Sequence, residues 1–355
     1  MMWLTWRQYR TPILVALGAL ATLAVILLLT GPDLAHLYST TVATCKTHND
    51  CSTAKSAFLL NDADLQTALE VLVVVAPGIL GVFWGAPLIA RELETGTYRL
   101  AWTQSVTRTR WLSVKLGVIG LSSMAVAGLL SLMVTWWSIP FDTVNLNIFG
   151  TFDERDIVPI GYAAFAFALG VLTGLLLRRT VPAMAVTSVA FTATRLAFSA
   201  WLRPLLIAPV HRTLALTAIQ GWSAGTEVNP VGPSYYNTLI PGPPGISNAW
   251  IYSTEIVDKA GHVLTSKFVA NACPLLHAGV SGGPPSGTGR TVHAPAAPTA
   301  LPDCIAKVGR TFREVVTYQP ASRYWAFQWY ELAMFTFLAL LLAGICVWWV
   351  RDRMA

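Results

Sequence analysis

Apolar residues run unbroken by charge over 11–32, 71–90, 116–141, 157–177 and 332–350. Each run exceeds the roughly 18 residues that a helix needs to cross a bilayer. A sixth run, 180–202, is interrupted only by Arg195. No period of two or of 3.6 breaks these runs into a wet and a dry face, so the pattern predicts six membrane-spanning helices. The first run follows charged residues, as a signal peptide would. It is read as an uncleaved helix, because Leu29-Thr30-Gly31-Pro32 makes a poor cleavage site and five more spans follow.

The polar residues between the runs set the orientation. With the N-terminus inside, the inner segments hold Arg7, Arg10, Arg91, Arg99, Arg108, Arg110, Lys115, Arg178, Arg179, Arg351 and Arg353. The short outer loops hold only Lys46, Lys55 and Arg155. The positive-inside rule therefore places both termini in the cytoplasm. The fold class expected is an all-α polytopic membrane protein with a small β-containing extracellular insertion between the fifth and sixth helices. Its parts are 1–202 with five helices, 203–326 as the extracellular region, and 327–355 with the sixth helix and a cytoplasmic tail.

Several local signals refine this plan. Trp3 and Trp6 beside Arg7 and Arg10 predict a short interfacial helix, or a plain anchor at the start of the span. Residues 56–69 predict a helix leading into the second span. Pro77 and Pro87 each remove a backbone donor there, so kinks are expected. Such helices line pathways in some transporters, but neighbouring helices can also satisfy the freed carbonyls. Trp136-Trp137 and the run from Tyr318 to Glu331 read as outer aromatic girdles. Region 203–323 holds most of the chain's 21 prolines. Within it, 250–257 and 262–269 alternate apolar and polar about the turn Asp258-Lys259-Ala260-Gly261, a β-hairpin signal. Residues 281–298 read as a flexible Gly/Pro/Ala stretch.

Composition narrows the function classes. The chain is 54% hydrophobic and 12% charged, against about 25% charged in soluble domains. The net charge of +6 follows membrane orientation and not a nucleic-acid surface. Cys45, Cys51, Cys273 and Cys304 all fall in outer segments, where oxidation is allowed. Three pairings are open to them, and proximity along the chain favours Cys45–Cys51 and Cys273–Cys304. The histidines lack ligand spacing, so no metal site is expected. There is no Gly-x-x-x-x-Gly-Lys-Ser/Thr loop and no His-Glu-x-x-His. The chain is therefore not read as an enzyme, and no cofactor is expected in it.

The long inner segment 91–115 carries the most specific pattern. Glu92 and Glu94 fall in its first turn, Gly96 permits a left-handed backbone, and Thr97, Ser105 and Thr107 can cap helix starts. Residues 98–104 predict a short amphipathic piece, and Arg108 and Arg110 follow. A lipid-facing positive loop explains the arginines but not the two glutamates ahead of Gly-Thr. Glu-x-Glu-x-Gly-Thr between the second and third of six spans, with both termini inside and a leading interfacial helix, resembles the permeases of the ABC-type-2 transporters. The large region before the sixth span, with Tyr318-Gln-Pro-Ala-Ser-Arg-Tyr-Trp325, is similar to a variant of high-GC Gram-positive bacteria. Arginine outnumbers lysine, as in high-GC genomes.

The resemblance implies a plasma-membrane exporter subunit. It implies a homo- or heterodimer of permeases, with its pathway at the dimer interface, bound to two cytoplasmic ATPases that hold ATP and Mg. Arg91, Glu92, Glu94, Gly96, Thr97, Arg108 and Arg110 would be the ATPase-docking residues. The apolar lining suggests an amphiphilic or lipid-like cargo. Pathway or gate candidates are Pro77, Pro87, Thr192, Arg195, Glu70 and Glu331. Arg195 lies in the outer part of the fifth span, where it either snorkels outward or pairs with Glu331 or Glu70 and grips an anionic cargo group. A second reading makes the chain a membrane sensor or immunity protein that binds an extracellular ligand through 203–326.

Overall fold

The computed structural model describes residues 2–47, 51–96, 107–145, 147–216, 219–229, 232–241, 246–265, 268 and 300–352. Met1–Ala208 with Ser322–Ala355 form one compact unit and Pro209–Ala321 form another. Arg203 and the residues just before the last span belong to the first.

The first unit holds six helical stretches long and apolar enough to cross a membrane. Helix α1 (Met2–Leu37) runs without a break, so the expected interfacial helix is the start of the first span and not a separate element. α2 (Ser52–Asn61) stops at Asp62, and α3 (Ala63–Leu80) starts afresh. The single helix expected over 56–69 is therefore two. The Cys45–Cys51 disulfide closes the short connection ahead of α2. The other expected pair, Cys273–Cys304, includes a residue outside the described ones.

The second span is α3, a widened π-helical turn over Gly81–Gly85, and α4 (Ala86–Thr95). The widening falls just ahead of Pro87. The Ala86 amide reaches back to the Gly81 carbonyl, while the amide that Pro87 lacks would have served the turn above. α5 (Arg108–Asn145), α6 (Val158–Leu177), α7 (Thr180–Ala197) and α9 (Tyr324–Asp352) complete the bundle. Thr107 caps α5, its Oγ1 accepting from the Arg110 amide at 3.4 Å.

α6 is the centre. It is apolar all round, and it packs against α3, α4, α5, α7 and α9. It meets the second span backbone to backbone. A Cβ on Gly81 would lie 2.5 Å from the Ala166 carbonyl oxygen, and one on Gly85 would lie 2.6 Å from that of Phe167. Gly170 and Gly174 make the reciprocal approach to Gly81 and Ala86. Two Gly-x-x-x-Gly stripes thus face each other, the device by which membrane helices pack closely. One core layer lies at the end that carries the termini, with Ile13, Trp84, Leu112, Phe167 and Val350. Another lies at the opposite end, with Leu34, Phe58, Val134, Trp137 and Phe141. Trp137, expected in an interfacial girdle, is buried there and donates to Thr30 Oγ1 at 2.9 Å. Its neighbour Trp136 is half exposed.

The second unit contains β1 (Val210–Ala215), the pair β2 (Ile219–Asn229) and β3 (Gly232–Pro241), β4 (Trp250–Asp258), α8 (Ala300–Thr311) and β5 (Phe312–Gln319). β5 is the middle strand of an antiparallel sheet of order β1-β5-β4. The turn after β4 forms as expected: the Asp258 carboxylate accepts from the amides of Ala260 and His262. The described residues of the expected partner strand, 262–265 and 268, do not form one. Pairing beyond the turn shrinks to one bridge, Val257 to Val263, and β4 pairs with β5. Tyr318, expected in an aromatic girdle, is on β5. The flexible stretch expected over 281–298 and the amphipathic piece over 98–104 lie outside the described residues.

Candidate functional site

Two places in the helical unit gather charge. One is the end of the second span nearest the chain termini, called here the elbow end. α4 ends in Gly96, whose φ of +69° is a left-handed conformation that costs glycine little. Glu92 and Glu94, expected to reach a partner protein, are engaged within the chain. Glu92 forms an ion pair with Lys115, which is almost fully buried and lies 4.5 Å over the Trp111 ring. Glu94 accepts from the amide and hydroxyl of Thr180, at 3.2 and 2.8 Å, at the start of α7. A carboxylate there caps the helix and complements its dipole. The two acids therefore tie α4 to α5 and α7. Arg91 and Arg110 are exposed on either side of the segment 97–106, which includes Thr97 and lies outside the described residues. Arg108 is half-buried.

The other place is the opposite, loop end. Arg203, 8% exposed, donates through Nε to Glu331 Oε2 at 2.9 Å and through Nη2 to Oε1 at 2.8 Å. It also forms an ion pair with Asp153 and lies 4.6 Å over the Phe152 ring. The Tyr162 hydroxyl donates to Asp153 at 2.7 Å and contacts Glu331. Burial raises the Asp153 carboxyl, but the guanidiniums of Arg203 and Arg195 outweigh it and hold it below its ordinary value. Gln328 ties this cluster to the bundle. Its side-chain oxygen accepts from the amides of Ile157 and Val158, and its nitrogen donates to the Phe152 carbonyl at 3.2 Å. It thereby satisfies amides at the start of α6 that no helix partner can serve.

The partners expected for Arg195 are corrected by these contacts. Glu331 belongs to Arg203. Glu70 accepts from Gln66 at 2.8 Å and lies 3.9 Å from Arg155. Arg195 instead donates to the Val74 carbonyl at 3.0 Å, stands 3.8 Å from Asp153 and stacks 4.2 Å over the Tyr162 ring. It does not snorkel, and its guanidinium turns into the chain.

Arg195 and Thr192 do line a cleft of about 500 Å³ between the second and fifth spans. Val75, Ile79 and Phe83 form one wall, and Phe191 and Leu196 the other. Asp153 and Glu154 close the loop end. Pro77 and Pro87 are not in the lining. Pro77 faces the core, and the pair shapes the second span without touching the cleft. Reading the sequence missed Arg203, Asp153, Tyr162 and Gln328. Arg203 carried a visible signal as a charge at the end of an apolar run. The acid–Tyr–Gln set carried none, because its members are scattered along the chain.

No curated protein and no solved structure matches the chain. Its six apolar helices make it a multi-pass membrane protein. The family model described as "ABC-2 membrane transporter related" matches residues 17–203. That is more than half of the sequence, and the chain belongs to this family of transporter membrane subunits, which typically work with an ATPase partner.

Proposed function

We propose that this chain is the permease subunit of an ATP-driven exporter in the plasma membrane of a high-GC Gram-positive bacterium. Two permeases would pair, as a homo- or heterodimer, and bind two cytoplasmic ATPases. An amphiphilic or lipid-like cargo would move outward at their interface. The chain itself would hydrolyse nothing, and ATP and Mg would sit on the partner. Family membership together with the tied elbow carries this reading. A push on residues 91–110 reaches α5 through Glu92 and Lys115 and α7 through Glu94 and Thr180. Binding and release of ATP would then shift the population between inward- and outward-open states.

Two expected results test it. First, the elbow should separate docking from coupling. Arg91→Glu with Arg110→Glu should lower co-purification of a co-expressed ATPase partner by about tenfold, through surface charge. Glu92→Ala with Glu94→Ala should keep much of the complex but lose cargo-stimulated ATP hydrolysis, because the ties into the bundle are cut. Unchanged binding and coupling in both would leave a lipid-facing loop. Second, the elbow would be cytoplasmic and 203–326 outside, with Arg and Lys in the short loops as the motive. A single cysteine at position 286, with the native cysteines replaced, should react with an impermeant maleimide in intact cells. Reaction only after permeabilisation would invert the topology.

A further inference from the structure

The cleft between the second and fifth spans has apolar walls and one ionic end, and the charge at that end is unbalanced. In the linked cluster, Glu70, Asp142, Asp153, Glu154, Asp156 and Glu331 face, among the described residues, Arg155, Arg195 and Arg203. Most of these acids are served. Glu331 and Asp153 hold Arg203, Asp142 holds Arg155 at 3.3 Å, and Asp156 accepts from the Tyr324 hydroxyl at 2.6 Å. Glu154 is different. It lines the cleft, and its Oε2 is buried with no hydrogen-bond partner among the described residues.

The guanidinium that shares the cleft is no counterweight. Arg195 faces the Val74 carbonyl, Asp153 and the Tyr162 ring, so its charge is already turned toward a carboxylate and a ring face of the chain. A buried carboxylate oxygen without a partner is costly, and a cation supplies what it lacks. The cleft's volume of about 500 Å³ lies within the usual range for sites that take small molecules.

We propose that this cleft binds a cationic amphiphile, with its positive head against Glu154 and its apolar body between Ile79, Phe83 and Leu196. As a statement about cargo this rests on the export reading above. As a statement about binding it stands without it. The groups that face Glu154 are Glu70 from α3, Asp153 and Arg155 from its own loop, and Arg195 from α7. Burial and then the Glu70 carboxylate push its pKa up to about 7, against the opposing pull of Arg155 and Arg195. The proton and the ligand cation would compete for one carboxylate. Below that pH the group is neutral and binding is weak. Above it the carboxylate is free and binding is strong.

Tetraphenylphosphonium and tetraphenylborate test this, because they share a shape and differ in sign. With the purified full chain in lipid nanodiscs, the phosphonium should bind saturably and tighten as pH rises through about 7. The borate should not saturate. Glu154→Gln should weaken phosphonium binding at pH 8 by about tenfold or more and flatten the pH profile. Ile79→Trp, at a half-exposed wall position, should block the cleft with the charge intact. Equal binding of both ions, preference for the borate, or full binding in either variant would overturn the proposal. Loss of phosphonium binding in a chain that still couples to its ATPase overturns this inference alone. Phosphonium binding in a chain with no ATPase partner overturns the export reading alone.

Discussion

Gly170→Leu is expected to yield almost no monodisperse protein after detergent extraction, although the chain is still synthesised. The side chain would start within van der Waals overlap of the Gly81 carbonyl oxygen, with the Ala86 amide nitrogen 2.8 Å away. Those atoms are backbone. They cannot rotate aside as a side chain would, so α6 and the second span must separate. Overpacking a core costs about 1–3 kcal/mol even where side chains can yield, so roughly 3 kcal/mol or more is expected here. The loss is not recovered elsewhere. In lipid, helix association rests on close packing and not on water exclusion, and α6 is the helix that the others surround. Gly344→Leu is the control, because a Cβ there meets nothing within 4 Å. Size-exclusion yield and the thermal midpoint should separate the two variants. Equal behaviour would mean that the Gly-x-x-x-Gly contact does not hold the bundle.

That contact shows how far the sequence alone can be read. The six spans were legible because hydropathy over a window of about 20 residues is set by the bilayer and not by neighbours. Gly81-x-x-x-Gly85 and Gly170-x-x-x-Gly174 are equally plain once the helices are known to face each other. The pairing of strands was less legible. Asp258-Lys259-Ala260-Gly261 is a strong local turn, and it drew the expectation to the residues just after it. The true partner, Phe312–Gln319, alternates buried and less buried positions from Phe312 to Tyr318 but lies far along the chain. Ionic partners were the least legible. Glu331 and Arg195 lie at similar depth, so they looked paired. Depth does not fix which face of a helix a side chain leaves from, and Arg203, just past the π-helical turn Phe198–Leu202 that follows α7, reaches Glu331 first. Similarly, Glu92 and Glu94 were visible as acids in an inner loop. Nothing local marked Lys115 or Thr180 as what they would hold.

Arg203→Ala should be the most damaging change of charge in the chain. Its guanidinium stands between Glu331, which is 1% exposed, and Asp153, and its removal leaves both carboxylates beside the Tyr162 oxygen without their main cation. Removing one partner from a buried pair costs about 3–5 kcal/mol, mostly because the remaining charge is stranded. At roughly 2–4 °C per kcal/mol for a chain of this order, the thermal midpoint should fall by roughly 10 °C. The same logic gives a rescue. Arg203→Met with Glu331→Leu removes the pair together, and Asp153 keeps Arg195 at 3.8 Å. The double variant should therefore recover much of the loss, since well-packed apolar replacements of buried ion pairs are often neutral or better. Arg195→Ala should cost less than Arg203→Ala, because Asp153 keeps Arg203 and no carboxylate is stranded. Thermal unfolding of the unchanged protein, Arg203→Met, Glu331→Leu and the double variant measures the coupling as a double-mutant cycle. If Arg203→Ala is no worse than Arg195→Ala, or the double variant is additive, the cluster is not what closes the loop end of the bundle.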